Sequence, residues 1–229
     1  MKKSKDSCSL DSCQLCRLCL KDWLPAVEAH RKNIHYRKGE VIFSEGQEVQ
    51  GIYFVHEGSV KIHKHWGEDK ELIVRFAKKG DIFGHRGFGA DKHYPISATA
   101  MEPLTVCYME QDFFYSTLKT NTNYLFQLML FYAEELQESE KNMRNLAHMP
   151  VKGRLANALL KLEHLFGLTE EGFININISR QDIASYTGTT YETVFRLLTE
   201  FTQENLIKTD GKSIALLEKD KLETLTHVS

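Results

Sequence analysis

Nine glycines fall between positions 39 and 89: Gly39, Gly46, Gly51, Gly58, Gly67, Gly80, Gly84, Gly87 and Gly89. Between them lie short apolar runs such as Val41-Ile42-Phe43, Ile52-Tyr53-Phe54-Val55 and Leu72-Ile73-Val74. Glycine reaches the positive φ that tight turns use, and β-branched and aromatic residues favour strands. Tyr36–Tyr108 therefore reads as short strands with regular turns, a small barrel or jelly roll.

The flanking segments read differently. Residues 1–22 are polar and cysteine-rich, too short for a core of their own, and Trp23 to Ile34 has a short amphipathic helical pattern. A long helix is predicted from Gln111 to His148. Met129, Tyr132, Leu136, Ser139, Met143 and Leu146 recur in alternating steps of three and four, a heptad seam. Such a seam predicts a two-stranded coiled coil and hence a homodimer; the competing reading packs this helix on the barrel. Pro150 ends the helix. Leu155, Leu159, Leu162 and Phe166 form a further helical face, and Phe173–Ile178 alternates as a strand does. Two short helices and a hairpin turning at Asp210-Gly211 complete the chain. The predicted fold is α+β: a cysteine-rich segment (1–22), a β-roll (23–110), a long dimerisation helix (111–149) and a winged helix-turn-helix domain (150–229).

A chain of 229 residues suits two cores. No apolar run reaches the ~18 residues that span a bilayer. The first lysines precede no apolar stretch, so a cytoplasmic location without membrane contact is expected. The net charge is −2, and from Val151 onward nine Lys/Arg face eleven Asp/Glu. Binding to nucleic acid would then rest on a few placed groups, with weak non-specific affinity and a shallow salt slope.

The stretch Ser179–Leu198 supplies such groups. Ser179 can cap a first helix with Asp182 in its opening turn, and Gly188 suits the turn. Thr189 can cap the second helix with Glu192 as capping-box partner. Val194 and Leu197-Leu198 give that helix a buried face, leaving Tyr191, Glu192, Phe195 and Arg196 outward. Arginine donates a fork to guanine, a carboxylate accepts from cytosine, and an apolar ring can touch a thymine methyl. Arg180, Thr187, Thr189, Thr190, Thr193 and the wing residue Lys212 are candidate backbone contacts. The plainer alternative leaves Glu192 as a cap and Arg196 as a solvated charge. No phosphate loop, nucleophile elbow or paired catalytic motif is found, so an enzyme is not expected. An adaptor whose winged helix binds protein is the rival class.

The order of roll, long helix and winged helix-turn-helix resembles the family of the cAMP receptor protein and FNR, the fumarate and nitrate reduction regulator. Glu192-Thr193-Val194-x-Arg196 is similar to the family's recognition motif E-T-[VI]-x-R. The resemblance implies a DNA-binding homodimer on a palindromic operator, its recognition helices about 34 Å apart, acting with RNA polymerase. Phe195 and Tyr191 depart from the family's usual residues, so the target sequence is not carried over.

In cAMP-binding members the loop after Gly-Asp carries a ribose-binding glutamate and an Arg-Ser pair for the phosphate. Here Gly80-Asp81 leads to His85 at the glutamate position, and Tyr94-Pro95-Ile96-Ser97 holds no Arg-Ser pair, so cyclic nucleotide is not expected. Of five cysteines, Cys8, Cys13, Cys16 and Cys19 crowd the first twenty residues, while Cys107 stands in Leu104-Thr105-Val106-Cys107-Tyr108. Iron–sulfur clusters are held by cysteine thiolates, several closely spaced. The Gly87-Phe88-Gly89 and His93-Tyr94-Pro95-Ile96 segments resemble FNR, which implies a [4Fe–4S] cluster on Cys13, Cys16, Cys19 and Cys107, with Cys8 as an alternative ligand. The family's spacing between the second and third ligands is wider than that between Cys16 and Cys19. A four-cysteine zinc site, an unliganded tail with Cys107 as a core residue, and haem on one of His30, His35, His63, His65, His85 or His93 are the other readings.

Overall fold

The computed structural model describes residues 13–67 and 70–227. The chain divides into two compact units, one comprising the residues up to Lys64 with Val74–Gln137, the other His65–Ile73 with everything from Glu138 on. Cys8 lies outside the described residues.

The first unit opens with α1 (Gln14–Leu18), a 3-10 turn (Lys21–Trp23) and α2 (Leu24–His30). The helical pattern predicted as far as Ile34 stops earlier, because β1 (Lys32–Tyr36) is drawn into the roll by pairing with β8 (Leu104–Glu110). The other strands are β2 (Val41–Phe43), β3 (Gly51–Glu57), β4 (Val60–Trp66), β5 (Lys70–Ala77), β6 (Ile82–Phe83) and β7 (Ser97–Ala100). They form two four-stranded sheets, ordered β1-β8-β3-β6 and β2-β7-β4-β5. This is the expected β-roll.

Successive strand residues point to opposite faces. In β3, Tyr53 and Val55 enter the roll's interior core, while Ile52 and Phe54 join a second core. In β8, Val106 faces the interior, and Cys107 with Met109 belongs to the second core. The interior holds Phe43 stacked on Tyr94 at 3.9 Å between ring centroids, with the Tyr94 hydroxyl donating to the Gly51 carbonyl at 2.8 Å. The second core gathers Cys13, Leu15, Cys16, Cys19 and Val27 with Phe114, Tyr124 and Leu128. Burying each large apolar side chain there contributes about 1.5–3 kcal/mol.

The predicted single helix from Gln111 is two: α3 (Gln111–Thr120) and α4 (Thr122–His148). Asn121 breaks it, with ψ 75° and its side chain donating to the Thr117 carbonyl and accepting from Leu20 N–H at 2.7 Å. Side chain-to-backbone bonding of this kind competes with helix continuation.

The second unit contains α5 (Val151–Phe166), α6 (Arg180–Thr187), α7 (Tyr191–Gln203), a hairpin of β9 (Ile207–Asp210) and β10 (Ser213–Leu216), and α8 (Lys219–Thr224). Its core is built from Leu155, Leu159, Leu162, Ile183, Val194, Leu197, Leu198 and Phe201. Phe166, predicted on the same face, is only half-buried. Gly153 allows close approach, since a Cβ there would lie 2.5 Å from the Leu225 carbonyl oxygen. The strand predicted at 173–178 is an irregular segment with one bridge, Leu168 to Ile174; Ile174 and Ile178 are buried, and Ile174 N–H donates to the Ile214 carbonyl of β10 at 2.8 Å without a continuous ladder among the described residues. The wing turns at Gly211-Lys212, one residue beyond the predicted Asp210-Gly211, because Asp210 pairs with Ser213.

Candidate nucleic-acid interface and cysteine site

The α6–turn–α7 motif is assembled from local signals. Ser179 Oγ accepts from Asp182 N–H at 3.0 Å, opening α6. Gly188 closes it at φ 64°, the left-handed conformation glycine adopts without penalty. Thr190, not the predicted Thr189, is the cap of α7: its Oγ1 accepts from Thr193 N–H at 3.3 Å and lies 3.1 Å from Thr193 Oγ1. The cause is the Thr189 N–H, which bonds the Ala184 carbonyl at 3.0 Å and so belongs to the α6 terminus.

Tyr191, Glu192, Phe195 and Arg196 are all exposed along one side of α7, as predicted for a reading face. Tyr191 and Phe195 stack at 6.4 Å between centroids, a pair of rings held in solvent. Arg196 is paired only loosely, 3.7 Å from Glu200, and its side chain is 69% exposed. Glu200 is engaged elsewhere by Lys152, which joins it at 2.6 Å and pulls its carboxyl below the ordinary range.

Four predicted backbone contacts are used internally. Thr187 is buried and donates to the Ile183 carbonyl. Thr193 shares the cap with Thr190. Arg180 donates to the carbonyls of Gly211 at 3.0 Å and Lys212 at 3.2 Å, which pins the wing turn to α6; burial pushes its pKa down. Lys212 itself is exposed at the wing tip.

On α4, Met129, Leu136 and Met143 are 54%, 62% and 64% exposed, and Ser139 and Leu146 are exposed beside them. Leu125 and Phe126 extend this apolar strip one turn toward the N-terminus of the helix, beyond the predicted seam. Tyr132 departs from it: its hydroxyl donates to the His85 carbonyl at 2.6 Å, so the ring lies on the roll. The heptad spacing could not separate the two faces, because the opposite side of α4 is apolar as well, through Tyr124 and Leu128.

The loop at His85 packs against α4. His85 is 2% exposed, and Glu135 of α4 reaches its Nε2 at 3.6 Å, Arg86 at 2.8 Å and Arg75 at 3.3 Å. Burial pushes the Glu135 carboxyl up, but the His85 ring, Arg75 and Arg86 outweigh it and hold the pKa at about 2. Burial pushes the His85 imidazole down, keeping it neutral near pH 7.

The cysteine site is formed by residues distant in sequence. Cys13 precedes α1, Cys16 lies within it and Cys19 follows it, so the two-residue gaps become i, i+3 steps along one side of a helical turn. Cys107 is buried in the same core, 3% exposed. The Cys19 thiol donates to Asn121 Oδ1 at 3.2 Å, and burial pushes its pKa up. Trp23 anchors the segment, its indole N–H donating to Thr117 Oγ1 at 3.1 Å. Tyr124 is fully buried beside these cysteines, and its hydroxyl has no hydrogen-bond partner among the described residues. Asn121, Thr117 and Tyr124 carried no sequence signal, since their role comes from contacts about a hundred residues apart in the chain.

Comparison with known proteins follows the two units. Residues 33–121 match the cyclic nucleotide-binding domain family, and residues 153–225 match the Crp-like helix-turn-helix domain family. The cAMP-activated global transcriptional regulator CRP of Escherichia coli is 30% identical over 190 residues, covering 80% of this chain and 89% of the relative. The CRP-like cAMP-activated global transcriptional regulator of Mycobacterium tuberculosis is 25% identical over 201 residues, covering 87% and 90%. The structure of FixK2 from Bradyrhizobium japonicum matches with a TM-score of 0.78 at 25% identity, over 87% of this chain and 98% of that one. A CooA mutant from Carboxydothermus hydrogenoformans shares the fold with a TM-score of 0.78 at 20% identity, over 95% and 97% of the two chains.

Proposed function

The chain belongs to the Crp/Fnr family of transcription regulators, and from that premise we propose a homodimeric, operator-specific regulator of the FNR type, controlled by a [4Fe–4S] cluster on Cys13, Cys16, Cys19 and Cys107. The observation that carries the sensing half is the meeting of these four cysteines in one buried core. Four sulfurs suit the donor set of such a cluster, and the unpartnered Tyr124 hydroxyl beside them suits a site that gains an acceptor when its thiols become thiolates. A bound cluster supplies sensitivity to oxidants such as oxygen or nitric oxide. The protein's own residues carry the rest: the cysteine segment rests on Asn121 and Tyr124, at the start of the helix whose exposed strip pairs two copies.

The relatives are named as cAMP-activated, and this chain's roll offers different chemistry. Arg75 and Arg86 are already engaged by Glu135, and His85 stands at the position where the resemblance implies a ribose-binding glutamate in cAMP-binding members. The Tyr94-Pro95-Ile96-Ser97 segment offers no arginine for a cyclic phosphate to meet.

DNA reading rests on Glu192 and Arg196, with Tyr191 and Phe195 shaping the preference. Thr189, Lys212 and the α7 N-terminus are the phosphate contacts of this reading, and contact with RNA polymerase belongs to it.

Two measurements test it. Protein isolated without oxygen should be coloured, with iron and sulfide near four per chain as a [4Fe–4S] cluster demands (about one iron per cysteine ligand). Colourless, iron-free protein with unchanged operator affinity sinks the cluster and leaves the DNA reading intact. Arg196→Ala should lose operator preference by roughly tenfold or more while remaining folded; unchanged preference would favour the adaptor.

A further inference from the structure

Tyr124 stands in the first turn of α4 with its side chain wholly buried, in the same core as Cys13, Cys16, Cys19 and Cys107. A buried hydroxyl without an acceptor costs about 1–3 kcal/mol. Phenylalanine would fill the same space without that cost, so the oxygen requires an explanation. Burial raises the pKa of this phenol, and Cys13, Cys19, Cys16 and Tyr132 raise it further, in that order.

Asn121 defines the other half of the arrangement. Its Oδ1 accepts from Leu20 N–H at 2.7 Å and from the Cys19 thiol at 3.2 Å, while its Nδ2 donates to the Thr117 carbonyl at 2.8 Å. The amide orientation is therefore fixed, and its oxygen faces Cys19. A metal-bound cysteine is a thiolate and has no proton to give. A Cys19 thiolate can therefore no longer donate to Asn121 Oδ1, and a phenol can donate to a thiolate sulfur.

We infer that Tyr124 is a positioning residue for the cluster, its hydroxyl donating to a ligating sulfur of the Cys13–Cys19 segment and so tying the loaded site to the first turn of the dimerisation helix. This rests on the iron–sulfur reading above. Loading then exchanges one hydrogen bond for another: Cys19 releases Asn121, and Tyr124 acquires an acceptor. Both Asn121 and Tyr124 sit where α4 begins, so the exchange acts on the helix that carries the apolar strip, without any contact between a sensed molecule and α4.

Tyr124→Phe removes one oxygen and keeps the ring. The full chain, isolated anaerobically and reconstituted with ferrous iron and sulfide, is compared with the variant by absorbance, by iron loss to a chelator, and by the cluster's reduction potential. Outer partners of metal ligands typically change affinity by about 10–100-fold. The variant should therefore lose iron about tenfold faster, with a shifted potential, while its metal-free form melts at the wild-type temperature or higher. Equal iron loss and an equal potential in the two loaded proteins overturn the role of Tyr124 and leave the cluster standing. A wild type that takes up no iron overturns both. A variant less stable than wild type when metal-free also overturns the inference, because the hydroxyl would then have a partner within the protein itself.

Discussion

The Arg86 guanidinium donates to the Glu135 carboxylate across 2.8 Å, joining the loop after β6 to the middle of α4. Arg75 approaches the same carboxylate at 3.3 Å and lies over the Phe131 ring at 5.3 Å from its centroid. Glu135 is thus the anion of a partly buried cluster with two permanent cations.

Its folded pKa, about 2, lies below the ordinary 4.5. A depressed carboxyl contributes stability that is complete above the unfolded value and fades as pH falls toward the folded one. Glu135→Gln should cost about 3 kcal/mol at pH 7. The gap from wild type should narrow between pH 5 and pH 3 in thermal melts. A constant gap across that range would assign the loss to shape rather than charge. His85 acts in the same direction at higher pH, because its lowered pKa makes the unfolded chain the better proton acceptor as pH drops below 6.5.

Leu136 and Met143 expose more than three-fifths of their surface along α4. Leu136→Glu should leave the fold intact and convert dimer to monomer in sedimentation, with operator affinity falling at least tenfold. A dimer of unchanged strength would place the pairing surface elsewhere.

Phe195 is 57% exposed and stacks on Tyr191. Once an operator has been selected from random duplexes, replacing its thymines one by one with uracil removes single methyl groups. One position should weaken wild-type binding several-fold, each methyl contact being worth on the order of 1 kcal/mol. The same change should leave Phe195→Ala unaffected. If both proteins respond alike, the ring does not read that methyl.

Gly188 sits at φ 64°, and a Cβ there would lie 2.5 Å from Leu146 Cδ2. Gly188→Ala should destabilise the second unit by roughly 1–2 kcal/mol for the left-handed backbone, with further loss where Leu146 must move. Denaturant melts monitored through that unit check the value.

The helix-turn-helix was legible because its signals are local. Ser179, Gly188 and the buried spacing of Val194, Leu197 and Leu198 each act within one or two turns. The roll was legible from its glycines and short apolar runs. Errors arose where a partner decides the outcome. Alternation at 173–178 gave way to single bonds with Gly167, Thr169 and Ile214, Thr189 was taken up by Ala184, and Tyr132 found His85. The Glu135 cluster and the meeting of Asn121 and Tyr124 with the Cys13–Cys19 segment join residues too far apart in sequence for any spacing rule to reveal.

Arg154 reaches four backbone carbonyls at once: Leu146 and Met149 at the end of α4, and Thr187 and Gly188 at the end of α6. One guanidinium therefore welds the tail of the pairing helix to the elbow of the reading motif. The eleven residues from Glu138 to His148 span about 16 Å at the α-helical rise. They form a lever arm with no loose joint at its working end. A turn of a few degrees where two such arms cross would be delivered to α7 as a change in reach, and a groove spaced for one setting would refuse the other.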